Sequence, residues 1–173
     1  IVDAACRALA DALVAVAASE VATPLPPSSE SWVVPSWIPR DMPTIVYGDG
    51  GAGKGFWGLA LTLSAITGHP FGDWAVRACR RALWLDWEYG TAASFRHRLW
   101  GFLETGTPDP GDRLRYLGMT QGAHEAAGAI RRELSRHLVD LGVVDSLAPA
   151  AGPEPETASA AVQTLRAICA WGV

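Results

Sequence analysis

The seven residues Gly48-Asp49-Gly50-Gly51-Ala52-Gly53-Lys54 constrain this chain more than any other stretch, and they hold its only lysine beside thirteen arginines. They follow the pattern G-x-x-x-x-G-K. The apolar run Thr44-Ile45-Val46-Tyr47 stands ahead of them and Phe56-Trp57-Gly58-Leu59-Ala60-Leu61 behind. Strand, glycine loop and helix, in that order, is the context in which such a loop cradles a phosphate. Glycines let the backbone curl so that several N–H groups aim at one anion, and the helix N-terminus adds partial positive charge. Gly48, Asp49, Gly50, Gly51, Ala52, Gly53, Gly55 and Phe56 then form the cradle, and Lys54 reaches the outer phosphates as a flexible point charge. One position departs from the pattern. The residue after the lysine is ordinarily Ser or Thr, whose hydroxyl binds Mg²⁺, and here it is Gly55.

A length of 173 residues suffices for one buried core. With 49% hydrophobic and 18% charged residues the chain reads as globular rather than disordered. The net charge of −4 supplies no overall basic footprint and argues against a dedicated DNA-binding module. Cys6, Cys79 and Cys169 form no C-x-x-C pair, and His69, His97, His124 and His137 are equally scattered. Neither a disulfide framework nor a zinc site is indicated, so buried thiols and surface imidazoles are expected. The apolar start of the chain is interrupted by Asp3, Arg7, Asp11 and Glu20, which excludes a membrane span there. It also lacks the basic start of a signal peptide, so a cytoplasmic location is expected. The chain opens on Ile1 and stops after Ala170-Trp171-Gly172-Val173, and it reads as a fragment at both ends.

Three segments are expected: an N-terminal helical segment over 1–22, a Pro/Ser-rich linker over 23–43, and a domain over 44–173. The linker carries Pro24, Pro26, Pro27, Pro35, Pro39 and Pro43 and is read as irregular, with Trp32 and Trp37 pinned onto the domain surface. Within the domain, strand and helix signals alternate. Strands are expected over 44–47, 82–87, 114–118 and 141–145. Helices are expected over 55–67, from a Thr91 cap to about 104, over 123–138 and over 157–171, with a Pro/Gly/Ala-rich loop at 148–156. Strands separated by helices imply an α/β fold with a parallel sheet covered on both faces. Ligands of such sheets bind at the carboxyl ends of the strands, where Gly48, Glu88 and Asp145 fall.

The acidic candidates stand at those ends. Asp145 follows the apolar run Leu141–Val144, which suits a carboxylate holding Mg²⁺ through its water shell. Asp86-Trp87-Glu88 closes another run. The spacing of two puts both carboxylates on one side of an extended chain, so Asp86 is a further metal candidate. Glu88, one step beyond, suits a general base that orients water toward a γ-phosphate. Acidic residues also begin turns and cap helices, and that plainer role competes at each position. Phe95 is read as core, Arg96 as solvated, and Arg77, Arg80 and Arg81 as a solvated rim.

Taken together, Ile38-Pro39-Arg40, Thr44–Lys54, Leu83–Glu88 and Val143-Val144-Asp145-Ser146 resemble the RecA-like P-loop ATPases of the RepA-type hexameric helicase group, in particular AAA family ATPase domains of actinobacterial and phage type. The resemblance spans about residues 36–173. It implies a RecA-like fold, here incomplete on its C-terminal side, and ATP with Mg²⁺ as cofactors. It also implies a homo-oligomeric ring or filament, and DNA as a partner. It assigns Lys54 to the outer phosphates, Glu88 to water activation and Asp145 to the metal. The expected activity is ATP hydrolysis coupled to DNA replication or recombination. Gly55 opens an alternative: a nucleotide-binding module with weak or no hydrolysis in a regulatory or structural role. A small-molecule P-loop kinase fits less well, since no arginine-rich lid is visible.

Overall fold

The computed structural model describes residues 32–40, 42–88, 91–151 and 158–171. The expected N-terminal helix over 1–22 lies outside them, as do residues 152–156 of the expected loop. The first described residues correct the linker reading. Trp32–Val34 (β1) turns through residues 35–37 and pairs antiparallel with Ile38–Pro39 (β2). Pro35 sits in the turn and Pro39 at a strand end, the places where proline's missing N–H costs no ladder bond. The hairpin is part of the core. Val33 and Val34 are each 3% exposed against Leu61, Ala65, Ile66 and Cys79. The Arg77 N–H donates to Val33 O at 2.7 Å. Trp37 stays exposed, its ring 4.4 Å from that of Trp74.

The helix after the glycine loop, Lys54–Thr67 (α1), runs close to the expected span and buries residues on most of its faces, from Leu59 to Ile66. Its Thr62 and Thr67 hydroxyls donate back to Gly58 O and Leu63 O, so a polar side chain can sit in this apolar setting without an orphaned group. Gly68 ends it in the left-handed region, its N–H on Ser64 O at 2.8 Å.

Ala82–Asp86 (β3), Ala92–Glu104 (α2), Leu114–Gly118 (β4), Ala123–His137 (α3), Leu141–Asp145 (β5), Leu147–Ala150 (α4) and Ala158–Cys169 (α5) follow. β3 lies between β4 and β5 and is parallel to both, with Ala82 opposite Leu114 and Leu141. Side chains of β3 alternate across the sheet. Leu83, Leu85 and Trp87 pack with Ala123, Ile130 and Leu134 of α3 and with Trp171, while Trp84 packs with Leu59, Leu63 and Phe95 on the opposite face. Both faces are therefore covered by helices, as the α/β reading expects. Asp86 lies on the Trp84 side, facing α1 and α2.

Several local expectations differ from the structure. Residues 44–47 form no strand. Val46 is 48% and Tyr47 77% exposed, since a β-branched run becomes a strand only where a neighbour supplies its ladder bonds. Thr91 precedes α2 but makes no side-chain cap. Leu138, the last residue of the helix expected over 123–138, instead lies just past α3 at φ 51° and is exposed, its N–H turned back onto Leu134 O and Ser135 O. The start of the expected loop over 148–156 lies instead in a short helix, Leu147–Ala150. Cys79 is buried as expected, but Cys169 is exposed. Among the described residues, no helix is long and apolar enough to cross a membrane.

Candidate functional site

Parallel register brings the ends of β3 and β5 side by side, with Asp86 opposite Asp145. Backbone bonds fasten these ends: the Trp87 N–H donates to Asp145 O at 2.6 Å and the Met119 N–H to Asp86 O at 2.8 Å. The glycine loop opens α1 against the same edge. Gly51 and Gly53 take φ of 76° and 79°, which a side chain would oppose, and Gly53 serves as N-cap without a side-chain bond. No acidic residue stands in the first turn of α1. The early N–H groups of that turn have no intrahelical acceptor and stand at a positive helix end. Lys54 Nζ folds back over the loop and donates to Gly48 O at 2.8 Å and to Asp49 O at 2.7 Å.

Behind the loop sits a buried charge cluster. Asp86 is fully buried. It accepts the Glu88 N–H on Oδ1 at 2.9 Å and the Tyr116 hydroxyl on Oδ2 at 3.0 Å. Arg98 reaches in from α2, Nη1 at 3.4 Å from Asp145 Oδ2 and Nη2 at 3.9 Å from Asp86 Oδ2. Its side chain is 12% exposed, and its guanidinium lies 5.9 Å from the Phe95 ring centroid. Burial pushes the Asp145 carboxyl above its ordinary range. Arg98 pulls it back, Asp86 pushes it up again, and Lys54 lowers it.

The structure thus gathers Lys54, Gly55, Asp86 and Asp145. Glu88 stands exposed one residue past Trp87, held by its own N–H, and Phe56 is 55% exposed at the mouth of the loop. Two members of the cluster escaped the sequence reading. Arg98 falls at i+3 from Phe95, on the inward stripe with Leu99 and Phe102, and an arginine on an apolar stripe is the signal that marks it. Tyr116 offered none, because its partner is set by strand pairing.

Burial and the bond to Asp86 push the Tyr116 phenol up to about 12. Only the protonated phenol can donate to Asp86, so this stabilisation is complete below the ordinary tyrosine pKa near 10 and is lost as pH rises through about 12. In an ultraviolet pH titration, the phenolate signal that disappears in Tyr116→Phe is expected to develop around pH 12. Development near the ordinary value would refute the bond.

A helix N-terminus carrying a glycine loop and one lysine, set beside acidic strand ends of a two-faced parallel sheet, defines a P-loop domain of RecA-like fold. The AAA_25 family model, an AAA domain, matches residues 9–172, and the chain belongs to that family, an ATPase-type nucleotide-binding domain. The comparisons with curated proteins and with solved structures give no match. Nucleotides bound by such domains usually carry Mg²⁺. The residues at this corner do not fit that ion. Gly55 brings no hydroxyl, and the carboxylates of Asp86 and Asp145 both face the Arg98 guanidinium.

Proposed function

We propose that this chain binds ATP through the Gly48–Phe56 loop and that it is a RecA-like domain of the RepA-type helicase group. One observation carries the reading. The amine of Lys54 sits on the Gly48 and Asp49 carbonyls, at a helix end whose first N–H groups have no side-chain cap. A terminal phosphate entering there would collect those N–H groups and draw the amine off its two carbonyls onto its own oxygens. Glu88, exposed past the end of β3, is the group suited to orient a water toward the γ-phosphate. The coupling of nucleotide turnover to DNA, in a ring or filament of copies, is part of this proposal and rests on the resemblance. Gly55 and the Arg98 pairings favour slow hydrolysis by the chain alone. The role of a nucleotide-binding module therefore stands beside that of a motor.

Calorimetric titration with ATP, followed by a turnover assay with and without single-stranded DNA, tests the proposal. Saturable binding is expected, and any turnover is expected to vanish in Glu88→Gln. Turnover stimulated by DNA in a salt-dependent way would favour the motor. Binding with no DNA response would favour the module. Absence of ATP binding would refute the proposal.

A further inference from the structure

The Gly55 departure and the Arg98 guanidinium occupy one place. A Cβ built on Gly55 would lie 3.0 Å from Arg98 Nη1 and 3.2 Å from Asp145 Oδ2, tighter than ordinary contact with a guanidinium and a carboxylate that already face each other. A serine or threonine here would press on both, and one of them would have to give by a few tenths of an ångström. Where other phosphate loops place a hydroxyl and the cation it holds, this chain places a cation of its own. We propose that Arg98 is the resident cation of this site, and that the chain binds ATP without a divalent metal. The inference rests on the ATP-binding reading above.

Charge and geometry support it. Arginine stays protonated at any working pH, so the charge is permanent, and its donors match the oxygens of a phosphate. The side chain is held from α2 beside the Phe95 ring and is largely buried. The guanidinium therefore needs little ordering when a ligand arrives. Its contacts to Asp145 and Asp86, at 3.4 and 3.9 Å, are longer than the 2.7–2.9 Å of a tight charge-assisted bond. Nη1 already faces the start of α1 at Gly55, so a phosphate oxygen seated on the loop would lie beside it while the guanidinium still balances the two carboxylates. Mg²⁺ at this corner would have to compete with the guanidinium for the same two carboxylates.

The test compares ATP affinity by calorimetry in EDTA and in Mg²⁺, for the wild type, Arg98→Lys, Arg98→Met and Gly55→Ser, with circular dichroism to confirm folding. The wild type is expected to change affinity less than about threefold between the two buffers. Arg98→Met is expected to lose about ten- to a hundredfold in EDTA, and Arg98→Lys, which keeps the charge, less. Gly55→Ser, which crowds the guanidinium, is expected to bind more weakly in EDTA and to become Mg²⁺-responsive. Should Arg98→Met fail to fold, the wild-type comparison and Gly55→Ser decide. Wild-type binding that collapses in EDTA and returns with Mg²⁺ overturns the inference while leaving ATP binding intact. Wild-type failure to bind ATP in either buffer overturns the ATP-binding reading itself.

Discussion

Replacing Lys54 with alanine is expected to lower ATP affinity by about ten- to a hundredfold, the worth of a charge-assisted bond to a phosphate. The folded state should hardly notice. The amine is exposed where it meets Gly48 O and Asp49 O, so those carbonyls regain water when it goes. Unfolding in urea is therefore expected to shift by less than about 0.5 kcal/mol, as for other surface substitutions. That contrast separates a ligand-binding lysine from a structural one. A large loss of stability, or unchanged ATP affinity, would mean that the lysine serves the loop's own architecture.

The reverse pattern is expected at Asp86. Its carboxylate is fully buried and ties together three elements: the Tyr116 hydroxyl of β4, the Glu88 N–H at the end of β3, and the Arg98 guanidinium of α2. Asp86→Ala leaves a half-buried phenol and a peptide N–H without this acceptor, and removes one of the two carboxylates facing a largely buried guanidinium. Each orphaned neutral group costs about 1–3 kcal/mol, and breaking a buried ion pair about 3–5 kcal/mol, though the 3.9 Å separation from Arg98 puts the ionic share at the low end. A total of about 3–5 kcal/mol is expected in a urea denaturation series, a large fraction of the 5–15 kcal/mol that a domain of this size commands. Asp86→Asn, which keeps an acceptor oxygen, is expected to recover part of the loss. A change under about 1 kcal/mol would show that the cluster is not what fastens α2 to the sheet.

The two substitutions mark where sequence reading succeeds and where it stops. Lys54 is legible because its role depends on neighbours in the chain: glycines that permit positive φ at residues 51 and 53, and a helix that begins at the lysine itself. The strands 82–86, 114–118 and 141–145 are legible for a similar reason. In a parallel sheet covered on both faces, each strand must be a short apolar run bounded by turns. Asp86 was visible as an acid at a strand end, but the Tyr116 hydroxyl and the Arg98 guanidinium that meet it come from other elements, β4 and α2. Metal ligation could not be told from structural tying until those elements were assembled.

The hairpin at 32–39 and the segment 44–47 make the same point in opposite directions. Proline counting turned the first into a linker, yet two buried valines anchor it in the core. Apolar, β-branched composition made the second a strand, yet Val46 and Tyr47 are exposed and outside the sheet. Local chemistry by itself determined this protein's alternating strand and helix runs, its glycine loop and the lysine at the head of α1, because each depends on contacts within a few residues. Tertiary structure alone decided that Arg98 fills the corner left open by Gly55, and that Asp86 is bound on all sides by protein. Those outcomes depend on which helix lies across which strand ends, and hence on long-range packing.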